Sequence, residues 1–232
     1  MVTCQPQPRH HAGMGEPYNI FTGQSLERLT ALSDGVFAVA MTLLVLDVRV
    51  PVSAALASSD HALGSALLKL GPSFAAYLLS FTMLGTFWLA QHTLLGILGR
   101  SDRTLTWINL GFLFVVTLLP FSAALLAHYV HLRLAVGVYW LNILLLGIGL
   151  EWGARYGRTA FLPDRTGQAY SRLRTFRRRI LLAQTLYALA ALICLISALA
   201  SVIALAIVQL YFIVSPRLPG SWRPRRGGGP DD

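Results

Sequence analysis

The sequence predicts an all-α integral membrane protein with six transmembrane helices per subunit. Three observations carry that prediction. The 232 residues are 55% apolar with a mean hydropathy of +0.58, and only 12% are charged, about half the share of charge in a soluble domain. The charges crowd into short stretches and leave long uncharged runs, up to the 35 residues from Ile180 to Val214. The basic residues are almost all arginine and lie beside those runs, as cytoplasmic membrane loops require.

Residues 1–27 form a polar tail that includes Cys4 and His10-His11 and has no apolar core of signal-peptide length, so the first span is expected to direct insertion. Cys194 lies within an apolar run, and no disulfide with Cys4 is expected. The first span covers about Leu29 to Val48 and ends before Pro51. Residues 52–68 are mixed and read as an outer loop with room for a short helix. The second span runs from about Leu70 to Leu98, with Gly71-Pro72 marking its first turn. The third is about Thr104 to Ala127 and the fourth about Leu132 to Trp152. An arginine-rich cytoplasmic loop, 153–179, follows. As a single helix, the final run would reach about 52 Å, well beyond a hydrocarbon core of ~30 Å, so it divides into two spans with a turn near Ser197 to Ser201. Six spans with both ends cytoplasmic put 16 of the 19 basic residues inside, leaving only Arg49, Lys69 and Arg133 outside. The six-span domain is thus 28–215, and the Pro-, Gly- and Arg-rich 216–232 reads as a disordered cytoplasmic tail. Topology accounts for the net charge of +9, so no nucleic-acid partner is expected. The cell (plasma or inner) membrane is the expected location.

The first span carries Ser33-Asp34 near its inner end, and a carboxylate inside hydrocarbon faces protein or a watery path. Asp34 lies about 9 Å past Arg28, His92 about 12 Å before Arg100, and Asn109 about 9 Å past Arg103. Three helices therefore offer a polar group near one level, with Ser33, Trp88 and Gln91 close to it. This level predicts a hydrogen-bonded cluster in which Asp34 accepts from His92 or Asn109 and Arg28 neutralises it. Such a cluster either fixes helix packing or transfers protons through Asp34 or His92. Beyond it, Gly35, Val39, Thr42 or Leu43, and Leu46 share one helical stripe. That stripe either packs, or lines a pore in which Val39, Leu43 and Leu46 form apolar rings and the Thr42 hydroxyl coordinates a cation. The sequence contains no TVGYG-like filter, phosphate-binding motif, HExxH motif or arginine-rich voltage-sensing span. Ser33 has no base partner of the hydrolase type, so no enzyme is expected.

These residues resemble those of the lysosomal potassium channel family and its prokaryotic members. The family's Arg-x-x-x-Phe-Ser-Asp motif stands here as Arg28-Leu-Thr-Ala-Leu32-Ser33-Asp34, followed by GVFAVAMTLLVLDVRVP. Further matching stretches are Phe87-Trp88-Leu-Ala-Gln91-His92, Trp107-Ile-Asn109-Leu110, Leu119-Pro120-Phe121-Ser122 and Tyr211-Phe-Ile-Val-Ser215-Pro216-Arg217. Leu32 replaces the motif's Phe, and Gln91 stands where prokaryotic members often carry a second His. The resemblance implies a homotetramer whose first helices surround a central pore, with no cofactor. It also implies a constriction at Val39, further apolar layers at Leu43 and Leu46, and a hydroxyl position at Thr42. Arg28, Ser33, Asp34, Trp88, His92 and Asn109 correspond to a polar network that braces the pore helices. The implied function is a passive, modestly selective channel for potassium and other monovalent cations, embedded in membrane lipid. The alternatives are a proton-permeable channel or proton-coupled transporter using Asp34 and His92, and a scaffold whose arginine loop contacts anionic lipid.

Overall fold

The computed structural model describes residues 17–49, 59–162 and 167–214, with side chains from Leu26 onward. Helix α1 (Pro17–Leu44) starts on a proline and passes into a 3₁₀ turn at Val45–Asp47. Its N-terminal end thus extends eleven residues into the segment read from sequence as polar tail. Leu29, Ser33, Phe37, Ala40 and Leu44 form its buried face, spaced three and four residues apart. Short helix α2 (Asp60–Leu68) is capped by Ser59, whose hydroxyl accepts from Ala62 N at 3.2 Å. Helix α3 (Gly71–Leu98) has Pro72 in its first turn and closes on Gly99, at φ 64°, whose N–H bonds Leu95 O.

The third span is two helices in series, α4 (Arg103–Thr117) and α5 (Leu119–His128), interrupted at Leu118. Pro120 causes the break, because it has no N–H to continue the ladder. Near it, Asn142 of α6 (Arg133–Phe161) donates its Nδ2 to Val115 O at 3.4 Å, a partner that backbone inside a membrane requires. Helix α6 is the central post and packs on α3, α4, α5 and α7. Its Gly149, Gly153 and Gly157 let α3 and α4 approach closely. A Cβ at Gly157 would lie 2.4 Å from Leu98 Cδ2, and one at Gly149 would lie 3.0 Å from Phe112 Cδ2.

Helix α7 (Gln168–Leu192) continues into a 3₁₀ turn at Ile193–Leu195, and α8 (Ala198–Val214) returns beside it. The final apolar run does divide, with the interruption at Ile193–Ser197, a few residues before the expected turn. The arginine-rich stretch 153–179 is mostly helical. Its residues complete α6 and begin α7, and the expectation of a loop across it is corrected accordingly. Arginine is a good helix former, and charge marks the membrane boundary without ending a helix.

Five helical stretches are long and apolar enough to cross a membrane: Leu26–Asp47, Gly71–Leu98, Arg103–His128, Arg133–Phe161 and Gln168–Leu195. The apolar Ala198–Val214 is shorter, at 17 residues. The expected tail 216–232, residues 1–16 with Cys4 and His10-His11, and Pro51 lie outside the described residues.

Candidate functional site

Helix α1 presents two contrasting faces. On the inner face, Ser33 is buried and fully used: it donates to Leu29 O at 2.8 Å and accepts from Gln91 Nε2 at 2.8 Å and Asn109 Nδ2 at 3.1 Å. Gln91 Nε2 also donates to Asn109 Oδ1 at 2.6 Å. One serine and two amides from α1, α3 and α4 thus close a triangle of hydrogen bonds. Such groups must pair internally where water is absent, and the triangle locks the rotation of α1 against its neighbours.

Asp34 points the other way. Its carboxylate accepts from Trp88 Nε1 at 2.7 Å on the exposed side of the helix. The His92 ring packs against the indole with centroids 5.8 Å apart. The expected contacts of Asp34 are therefore corrected: it bonds neither His92 nor Asn109, and among the described residues no ion pair joins it to Arg28. The reason is angular. Ser33 and Asp34 are adjacent and so about 100° apart around the helix, so only one of them can face the Asn109 side. Gln91, the departure from the family pattern, is the residue that joins the triangle. Its depth beside His92 was the signal in the sequence.

Further along the exposed face come Gly35, Val39, Thr42, Leu43 and Leu46, with Val39 57%, Leu43 44% and Leu46 69% exposed. A stripe this open on a helix whose opposite face is sealed packs against none of the described residues of the chain's other helices. The Thr42 hydroxyl donates to Val39 O at 2.8 Å. With its proton directed at the backbone, the oxygen keeps its lone pairs free for a cation.

The residues 28–120 match the family model described as the endosomal/lysosomal potassium channel TMEM175. A potassium channel of Streptomyces collinus is 34% identical over 192 residues, which cover 80% of this chain and 90% of that one. The chain belongs to the TMEM175 potassium channel family. It is also similar to the solved structure of a lysosomal potassium-selective TMEM175 homolog from Chamaesiphon minutus, with a TM-score of 0.72 at 31% identity, covering 83% of this chain and 98% of that one. The endosomal/lysosomal proton channel TMEM175 of Gallus gallus is 31% identical over 120 residues, 49% of this chain and 24% of that longer one. The TMEM175 family is one of ion channels, not enzymes. Among the described residues of this TMEM175 member, no group of three His, Cys, Asp or Glu side chains could hold a metal ion.

Two polar clusters went unread in the sequence. Gln209 accepts from Tyr187 OH at 2.5 Å and donates to Thr86 Oγ1 at 2.8 Å, tying α8 to α7 and α3. Glu151 of α6 accepts from Arg155 Nε at 2.8 Å and from Arg177 of α7. An acid four residues before an arginine inside an apolar span was the available signal. Its partner on α7 was hidden by the assignment of that stretch to a loop.

Proposed function

We propose that the chain is one subunit of a homotetrameric, passive and modestly selective potassium-conducting channel in the cell membrane. It has six spans, both termini cytoplasmic and α1 around the pore. The observation that carries this reading is the two-faced α1. Its inner face is fixed by Ser33, Gln91 and Asn109, while Val39, Thr42, Leu43 and Leu46 stand exposed on the other face. In a family of potassium channels, such a stripe is suited to line the pore. Helix α8, at about 26 Å, is close to a ~30 Å core and completes the sixth span. The bias of arginine toward one side favours this count.

In the tetramer, four Val39 side chains form the constriction, and Leu43 and Leu46 add apolar layers. Water leaves such a ring readily, so the pore closes by dewetting and conducts when slightly wider. A cation crossing it gives up part of its hydration shell. Potassium holds that shell more loosely than sodium, and the Thr42 oxygens replace part of it. Ser33, Asp34, Trp88, Gln91, His92 and Asn109 brace the pore helices, and no cofactor takes part. Liposomes loaded with potassium and diluted into sodium test the reading. Native protein should pass potassium faster, and Val39→Asn should raise the flux and flatten the preference. An unchanged current in Val39→Asn would show that another surface conducts.

The alternative, proton transfer through Asp34 and His92, is the weaker reading. Asp34 and His92 share no hydrogen bond among the described residues and each contacts the Trp88 indole, and an indole N–H donates without accepting, so it relays no proton. Proton-dependent flux abolished by Asp34→Asn in an intact assembly would reverse that order.

A further inference from the structure

We propose that the groove between α6 and α7 is a binding site for one anionic phospholipid, with its phosphate at Arg155 and an acyl chain along the groove floor. The groove measures about 720 Å³ and is open to the side. Leu144, Ile148, Ile180 and Leu181 line its floor, while Trp152, Arg155 and Thr159 stand at its upper end. Leu144 and Arg155 are eleven residues apart on one helix, about 16 Å. Apolar lining is thus graded into polar lining over a length suited to a chain below its headgroup.

Arg155 spends only its Nε on Glu151, at 2.8 Å, and its side chain is 64% exposed. Its two Nη groups make no other hydrogen bond among the described residues and present the planar fork that fits a phosphate. Glu151 also lines the groove but does not oppose an anion there, because Arg155 and Arg177 both bind its carboxylate. Next to this pair lies a small cavity of about 160 Å³ lined by Arg158, Arg174 and Arg177. These arginines make the surrounding field positive. A basic pocket between membrane helices suits an anionic headgroup, and a zwitterionic lipid would lack that attraction.

The site stands apart from the pore, and its test is independent of ion flux. Native protein is reconstituted in phosphatidylcholine vesicles containing a fixed fraction of either dibrominated phosphatidylglycerol or dibrominated phosphatidylcholine. The Trp152 contribution to fluorescence is obtained by difference from Trp152→Phe. Brominated phosphatidylglycerol should quench Trp152 at about fivefold lower mole fraction, the scale of one arginine–headgroup contact, and Arg155→Gln should remove that preference. Equal quenching by the two lipids overturns the proposal, since the groove then holds ordinary annular lipid. So does full relief of quenching by millimolar inorganic phosphate, which would mark a site for the free anion. The comparison of lipids on native protein decides the matter even if Arg155→Gln fails to assemble.

Discussion

Ser33 uses every hydrogen-bonding capacity a hydroxyl has, one donation and two acceptances, within the buried face of α1. Replacing it with Ala strands Asn109 Nδ2 but leaves Gln91 bonded to Asn109. Ser33→Ala should therefore cost about 1 kcal/mol of stability, not the larger loss of a fully orphaned cluster. Thermal unfolding in detergent measures this. Gln91→Leu removes the shared donor and leaves both Ser33 and Asn109 short of a partner, so its midpoint should fall further. Thr42 makes a separate prediction. Thr42→Val keeps the shape and removes the oxygen, so the potassium-over-sodium flux ratio should drop while the assembly melts as before. A large loss of stability in Thr42→Val would mean that the hydroxyl holds the helix together and does not serve the ion.

Helix α6 shows how an element is positioned by what it lacks. Gly153 and Gly157 face Leu94 and Leu98 of α3, and the missing side chains set the distance between the two helices. Gly157→Leu should separate them and destabilise the bundle by about 1–3 kcal/mol, read as a lowered melting midpoint. At Gly96, where a Cβ meets nothing within 4 Å, Gly96→Ala should be neutral or slightly stabilising. Five long apolar helices were legible in the sequence, because uncharged length and arginine bias both report on the membrane, but several of their ends were not: α1 begins at Pro17, α6 runs on to Phe161 and α7 starts at Gln168. The break at Leu118 was less so, although Pro120 gave the cause. Hydropathy could not show it, since the run stays apolar straight through. The helical state of 168–179 was missed because charge alone was read as the end of structure.

For the whole molecule, the level of the polar site was legible but its pairing was not. Depth along a helix follows from counting residues, and that placed Ser33, Asp34, Gln91, His92 and Asn109 together. Which of them touch depends on helix rotation, which a list of depths leaves open by a full turn. The proposed assembly adds a measurable property: purified protein should have the mass of four chains, and linked tandem dimers should conduct as well as single chains. A monomer that still conducts would remove the pore between α1 helices. The buried triangle also bears on how the protein is made. Its members lie at positions 33, 91 and 109, so it can close as soon as the third hydrophobic segment leaves the insertion machinery. The Glu151–Arg177 and Tyr187–Gln209 links must wait for the rest of the chain. The triangle can therefore fix the orientation of α1 before the contacts of α7 and α8 form.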